Sequence, residues 1–203
     1  MPTESEVAPD HAFEAHVFWE QHKSKIILYA GLVIAALVIF ATYQYTSEQR
    51  AAAASTALAQ AAKPEDYRQV IEKYPRTVAA GDAYLLLAKQ LRDDQKYDDA
   101  IAALRTFTQQ FEKHPLASTG WLSLGQTLEA AGKTDEAADT YQQVTTKFPD
   151  SYSAPIAALA QANLLRAKGK IDDAKRAYEN VVAQYPESYF AQQALRDMKL
   201  LRK

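Results

Sequence analysis

Residues Trp121 to Pro149 read WLSLGQTLEAAGKTDEAADTYQQVTTKFP, and this stretch decides the fold. Apolar residues recur every three or four positions on both sides of Gly132, a spacing typical of two amphipathic helices joined by a turn. Small residues at Gly125 and Ala137 allow the two helices to approach each other closely. The stretch therefore predicts a helical hairpin that ends at Pro149, because proline cannot continue a helix.

The hairpin recurs on both sides of this stretch. The tripeptides Asp99-Ala100-Ile101, Glu136-Ala137-Ala138 and Asp173-Ala174-Lys175 have central alanines that are 37 residues apart. A fixed period of roughly 20 to 50 residues is the signature of stacked supersecondary units. The sequence thus predicts an all-α array in which each hairpin packs on the next.

The middle hairpin resembles the tetratricopeptide repeat, a helix–turn–helix unit. The resemblance rests on Trp121, Leu124, Gly125, Leu128, Gly132, Ala137, Tyr141, Val144, Phe148 and Pro149. The flanking hairpins match less fully, since Glu112 stands where the closing proline is expected and Pro115 follows three residues later. In the third hairpin Ala158 and Gln161 replace the large residue and the leucine of the first helix, which leaves the packing of that helix open.

This resemblance implies a solenoid of about three and a half repeats behind an N-terminal segment. The predicted domains are a tail over 1–25, a transmembrane helix over 26–45 and a repeat domain over 46–203. The predicted repeats lie near 46–76, 81–117, 118–151 and 155–187, with a capping helix over 188–202. Residues 1–9 are predicted to be disordered. From Asp10, which can cap a helix, the tail is predicted either to form a short helix at the inner interface or to be flexible up to the last turn of the membrane helix.

A second stretch, Ile26 to Tyr43, contains eighteen residues without a charge. As a helix it would reach about 27 Å, close to the roughly 30 Å hydrocarbon core of a bilayer. A core helix would show a polar face, and a signal peptide usually has a shorter apolar run, so a membrane anchor is the favoured interpretation of the three. The alanine-rich residues that follow predict that this helix continues to about Ala62, with Pro64 in the first turn of the next.

Basic residues near this segment predict its orientation. Lys23 and Lys25 precede it closely, whereas Arg50 and the more distant Lys63 follow it. Under the positive-inside rule, the tail lies in the cytoplasm and the repeat domain lies on the far side. This predicts a single-pass membrane protein with its repeat domain on the far side of the membrane, and cytosolic repeats are the opposite possibility.

Composition argues against several functional classes. The chain has 203 residues and no cysteine, so disulfides and thiolate metal sites are excluded. After residue 25 there are 21 basic and 20 acidic residues, a balance without the basic excess that holds nucleic acid. His11, His16 and His22 are five and six residues apart, a spacing that does not place two on one helix face. We therefore expect no metal, cofactor or nucleic acid, and we expect His114, beside Pro115, to be solvated.

The sequence also predicts that the chain is not an enzyme and has no small-molecule substrate. No nucleophile elbow, phosphate-binding glycine loop or metalloprotease helix motif is present. Acidic pairs at Asp98-Asp99, Asp135-Glu136 and Asp172-Asp173 occupy one repeat position. There they begin a second helix, where negative charge stabilises the helix dipole, so structure explains them better than acid–base chemistry.

The remaining candidate site is a concave groove lined by the first helix of each repeat, which the tetratricopeptide resemblance implies binds peptides or partner helices. The groove positions are Leu85, Lys89, Arg92, Thr119, Leu122, Gln126, Glu129, Ile156, Leu159, Asn163 and Arg166. Apolar residues among polar ones suit recognition of a polypeptide segment. The alternative is that Leu122 or Leu159 is covered by the alanine-rich helix or by the C-terminal helix of the same chain.

The layout of acidic tail, lysine-flanked span, alanine-rich helix and repeats resembles the YfgM-like family, ancillary subunits of the SecYEG translocon. That resemblance implies a single-pass scaffold of the inner membrane with a periplasmic repeat domain. Its implied partners are translocon subunits, periplasmic chaperones or emerging secreted chains. The sequences FPDSY and YPESY at the repeat ends also resemble the Tol-Pal coordinator and an outer-membrane assembly lipoprotein, and the missing cysteine disfavours the lipoprotein. A coordinator of Tol-Pal, cell division or envelope assembly and a regulatory subunit of an envelope enzyme are the alternatives.

Overall fold

The structure, a computed structural model, describes residues 11–201, and over this range it is all-helical. Its helices are α1 (His11–Gln60), α2 (Pro64–Lys73), α3 (Val78–Asp93), α4 (Tyr97–Gln110), α5 (Ala117–Ala130), α6 (Thr134–Lys147), α7 (Ser153–Ala167), α8 (Ile171–Gln184) and α9 (Tyr189–Leu200). The predicted disorder of residues 1–9, the predicted cap at Asp10 and the end of the predicted capping helix at Arg202 lie outside the described residues.

Helix α1 carries the apolar stretch. The described residues divide by packing into two units at Gln49 and Arg50, and α1 contributes residues to both. Within His22–Gln60 an 18-residue window has a mean hydropathy of 2.5 and none of it is buried in the protein. By length and composition this helix can cross a membrane. The prediction of an unbroken helix to about Ala62 is confirmed to within two residues, because α1 ends at Gln60.

Helix α2 begins at Pro64, as the sequence predicts, and packs on α3. The side chain of Asp66 accepts hydrogen bonds from the backbone N–H groups of Ala62 and Lys63, both at 3.1 Å. These two bonds favour the ionised carboxylate and so lower the pKa of Asp66 below its usual value. The turn between α1 and α2 is thereby held by the first turn of the helix that follows it.

Three hairpins follow, α3 with α4, α5 with α6 and α7 with α8, and each packs on the next. Each hairpin turns through one residue in the left-handed region: Gln95 at φ 61°, Gly132 at φ 76° and Gly169 at φ 73°. Glycine adopts this conformation without steric cost, whereas glutamine does not. The predicted all-α solenoid of tetratricopeptide type is confirmed in its helical repeats.

Glycines allow close contact between adjacent helices, both within a repeat and between repeats. A Cβ added at Gly125 would lie 2.5 Å from Cε1 of Tyr141, and one added at Gly120 would lie 2.1 Å from Cε1 of Phe107. Neither contact is sterically possible, so both aromatic rings pack directly on helix backbone. Tyr141 and Phe107 are among the largest fully buried side chains, which makes these close approaches part of the core.

His114 contradicts its prediction, because the structure buries it in the turn between α4 and α5. Its Nδ1 accepts a hydrogen bond from the N–H of Leu116, and its Nε2 lies 3.1 Å from the carbonyl oxygen of Val78. The ring stands edge-on to Phe107, with centroids 5.3 Å apart. The sequence suggested a solvated turn, but Gly81 of α3 leaves the space that the imidazole fills.

The C-terminal helix α9 covers the last repeat, as predicted. Its buried face is formed by Ala191 and Ala194, and Met198 and Leu201 pack against the same cluster as Tyr178. Tyr189, Leu195 and Leu200 of the same helix are exposed and take no part in this contact. The buried positions follow one helical stripe, and those three residues lie off it.

Candidate functional site

The predicted groove residues lie on α3, α5 and α7, the first helices of the three hairpins. Of these helices, α5 and α7 contact each other directly. Five of the predicted residues are exposed, namely Lys89, Thr119, Gln126, Glu129 and Arg166. Four are half-buried, namely Leu85, Arg92, Ile156 and Asn163. A partner can reach these nine side chains, but the apolar ones among them are each partly covered.

Leu122 and Leu159 are not part of an open surface. Leu122 is 7% exposed and belongs to the main core cluster, and Leu159 is 5% exposed. Leu159 packs in the cluster that α9 completes through Ala194. For Leu159 the predicted cover by the C-terminal helix is confirmed, whereas Leu122 is buried in the core of the repeats themselves. Both leucines therefore stabilise the repeat stack instead of offering contacts to a partner.

Two of the predicted polar residues are engaged by buried tyrosines. The hydroxyl of Tyr141 donates to Oε2 of Glu129 at 2.7 Å, and that of Tyr178 donates to Oδ1 of Asn163 at 2.6 Å. Burial raises the pKa of both tyrosines. Each bond joins the two helices of one repeat and orients one acceptor at the edge of the predicted groove. In the sequence, only the place of the two tyrosines in the repeat hints at these hydrogen-bonded pairs.

The acidic pairs lie in the first turns of α4, α6 and α8, where the sequence placed them. Lys133 Nζ lies 2.7 Å from Oδ1 of Asp98, and Lys168 pairs with Asp135 in the same way one repeat later. The hydrogen bonds from these lysines lower the pKa of both aspartates. A general acid needs the opposite shift, so these carboxylates serve to link one repeat to the next.

Among residues 11–201 no group of three or more histidine, aspartate or glutamate side chains is arranged to hold a metal ion. The described buried side-chain nitrogen and oxygen atoms all have hydrogen-bond partners. The described residues also form a cleft at the third repeat, lined in part by Ala158 and Gln161.

A sequence profile described as a tetratricopeptide repeat-like domain matches residues 16–201. The chain belongs to this family. The matched range includes the apolar part of α1 as well as every hairpin. No curated protein sequence matches the chain.

Solved structures share the fold at low sequence identity. A putative kinesin light chain with nearly identical repeats from Podosopora anserina has a TM-score of 0.56 and 16% identity, over 79% of this chain and 85% of that one. BtubC from P. vanneervenii has a TM-score of 0.55 and 16% identity, over 76% of this chain and 65% of that one. A tetratricopeptide repeat protein from Parabacteroides merdae has a TM-score of 0.57 and 14% identity, over 78% of this chain and 60% of that one.

These similarities concern the fold. This chain spans less than two thirds of the length of BtubC and of the Parabacteroides merdae protein. Repeat solenoids present extended surfaces to other proteins, so family membership indicates a protein–protein interaction scaffold.

Proposed function

We propose that this protein is a membrane-anchored adaptor of the YfgM-like kind, with its repeats on the periplasmic face of the inner membrane. In this proposal α1 is the anchor, and the repeats engage translocon subunits, periplasmic chaperones or emerging secreted chains. The observation that carries it is one helix that is apolar on every side and leads into a tetratricopeptide repeat domain.

The exposure of α1 supports the anchor. Its large apolar side chains between Ile27 and Tyr43 are each about 60 to 70% exposed in the isolated chain. Leaving that much apolar surface in water is unfavourable by roughly 25 cal/mol per Å², so lipid is the medium that suits it. The lysines at 23 and 25 support a cytoplasmic tail.

A non-enzymatic role is part of the same proposal. The paired carboxylates lie at exposed helix starts, and their lowered pKa values suit salt bridges. The groove edge instead carries both charges, with Lys89, Arg92 and Arg166 as cations and Glu129 as an anion. Such a mixed polar rim is suited to setting the register of a bound polypeptide.

Site-specific photocrosslinking in intact membranes tests this function. A crosslinker at Gln126, exposed on α5, should capture translocon subunits or periplasmic chaperones identified by mass spectrometry. The matched control is Gln109, which is also an exposed glutamine but lies on α4, the second helix of the first repeat. Capture of Tol-Pal or division proteins from Gln126 would instead favour the coordinator, and equal capture from both positions would contradict a groove.

Topology is tested separately by the accessibility of a C-terminal tag to added protease. With the outer membrane opened and the inner membrane intact, added protease should remove the tag. Protection of the tag until the inner membrane is dissolved would place the repeats in the cytosol and contradict the proposal. An assay of peptidoglycan synthesis with and without the protein separates the remaining alternative, a regulatory subunit of an envelope enzyme.

A further inference from the structure

A cleft at the third repeat lies between α6 and α8, beside α7. It has a volume of about 250 Å³. Ala158, Ala177 and Val181 contribute its apolar part, and the side chains of Gln142, Asn180 and Gln184 contribute to its polar part. We call this cleft the aromatic slot, because the corresponding position of the second repeat holds the ring of Trp121.

The second repeat shows what occupies the corresponding place. Moving back by the 37-residue period, Ala158 becomes Trp121 and Gln184 becomes Lys147. In the structure Nζ of Lys147 lies 4.3 Å from the centroid of the Trp121 ring, so these two positions are neighbours across the repeat. Ala158 and Gln184 are neighbours in the same sense, but no ring lies between them because Ala158 ends at Cβ.

The first repeat also has an aromatic residue at this position, as the second does. Its residue at this position is Tyr84, whose ring packs 5.9 Å from that of Phe111 and against the main core cluster. Two of three repeats therefore supply a large aromatic side chain of their own, and the third supplies a methyl group. Gln161, which stands where the other repeats have Leu87 and Leu124, adds a polar group to the same place.

The chemistry of the slot specifies its occupant. None of its lining side chains is charged, and Gln184 has replaced the lysine that stands over Trp121. A neutral group suits this uncharged lining. It would need an apolar face to contact the alanines and a polar edge to form hydrogen bonds with the side-chain amides. Tyrosine and tryptophan have this combination, because each joins a large apolar ring to one polar atom.

We propose that the aromatic slot receives a tyrosine or tryptophan side chain from a bound polypeptide. This inference deepens the proposed scaffold function and depends on it in one respect, that a protein partner supplies the ring. Gln142, Asn180 and Gln184 are exposed around the slot, so a partner backbone can lie across α6 and α8 while its side chain enters. The ring would complete the third repeat as Trp121 completes the second.

The test uses the full chain in detergent micelles and three neutral probes: N-acetyl-tyrosinamide, N-acetyl-tryptophanamide and N-acetyl-leucinamide. Ligand-observed NMR titration should show binding of the two aromatic amides. The variant Ala158→Trp fills the slot from within and should weaken that binding by about tenfold or more, the ratio that 1.4 kcal/mol of lost contact produces. The control Ala102→Trp places the same residue on the exposed surface of α4 and should leave binding unchanged.

A second filling variant, Ala177→Leu, protects the test against misfolding of Ala158→Trp and should cause the same loss. Circular dichroism establishes that each variant keeps its helix content. Equal binding of the leucine amide, unchanged binding in both filling variants, or no binding of either aromatic amide would each overturn the inference. Crosslinking from Gln126 is a separate measurement, so the scaffold proposal can succeed while the slot fails.

Discussion

The first and second repeats build the same hairpin with different residues. In the second, Tyr141 packs directly on the backbone at Gly125, and Gly132 makes the turn. In the first, Leu104 and Ala88 take the corresponding positions, and Gln95 makes the turn in a conformation that costs it energy. The turn after α4 in the first repeat also contains a buried histidine, His114, where the second repeat has Ser151.

This comparison shows that helix spacing, and not any single residue, is what the fold maintains. A large ring needs a glycine opposite it, and a smaller leucine permits an alanine. The free energy of unfolding tests this account. It is measured by chemical denaturation of the full chain in detergent and followed by circular dichroism.

Exchanging the small residues should affect the two repeats unequally. We expect Gly125→Ala to destabilise the protein by about 2 to 3 kcal/mol, because the new methyl overlaps the ring of Tyr141 and forces overpacking. The matched change Ala88→Gly should cost only about 1 kcal/mol, the difference in helix propensity. Equal effects at both positions would show that the ring and the glycine are not coupled.

The histidine that distinguishes the first repeat should matter next. We expect His114→Ala to cost about 2 kcal/mol, because it leaves the Leu116 N–H without its partner and opens a cavity beside Phe107. Lys113→Ala, one residue earlier and exposed, is the control and should change stability by less than about 0.5 kcal/mol. If His114→Ala left the free energy of unfolding nearly unchanged, the buried arrangement would be contradicted and the solvated turn that the sequence indicated would be supported.

Tyr141 has a hydroxyl where Leu104 has none, and this difference is sensitive to pH. We expect Tyr141→Phe to cost about 1 kcal/mol near pH 8 through loss of the bond to Glu129. Burial raises the pKa of Tyr141, so above about pH 10 only the unfolded chain releases the proton. Wild-type stability then falls by up to about 1.4 kcal/mol per pH unit from this residue, while the variant has no such loss.

The advantage of the wild-type protein over Tyr141→Phe should therefore shrink above pH 10 and then reverse. Denaturation series for both proteins between pH 7 and 11 measure the difference directly, and titration of groups that the two share cancels from it. A constant difference across this range would mean that Tyr141 titrates alike in the folded and unfolded chains.

The turns should give the smallest effects, with opposite signs in the two repeats. We expect Gln95→Gly to stabilise the first repeat by about 0.5 to 1 kcal/mol, because glycine adopts φ 61° without strain. Gly132→Ala should destabilise the second by about 1 kcal/mol, since its φ is 76° and its Cβ would otherwise meet nothing. Changes in stability of the same sign for Gln95→Gly and Gly132→Ala would show that the backbone conformation of the turn does not determine these effects.

The helical repeats were predictable because periodicity and spacing are local properties of the sequence. The 37-residue period located each hairpin, and Pro64 marked the start of α2. Burial within the solenoid was less accessible, because it depends on which helix lies opposite. Leu122 and Leu159 sit at groove positions in the sequence pattern, yet the neighbouring helices cover both.

His114 shows the same limit for a turn. The residues next to it in sequence are a lysine and a proline, which indicate solvent, while its actual neighbours include Val78 and Gly81, more than thirty residues away. The slot was visible in the sequence only as a mismatch to the repeat pattern at Ala158 and Gln161. Whether a mismatch means poor packing or a cavity depends on how far α6 and α8 stand apart, and that distance is a tertiary property.

The small side chain at Ala158 also affects how the solenoid opens. In a linear array, stability is the sum of each repeat's own contribution and its contact with the next. Ala158 lacks the ring that Tyr84 and Trp121 supply at the corresponding positions, so we infer that its interface loses the contribution of one buried aromatic side chain. We expect backbone amides of α8 and α9 to exchange with solvent hydrogen before those of α4 and α5, and a bound aromatic residue to slow that exchange by supplying the missing contact.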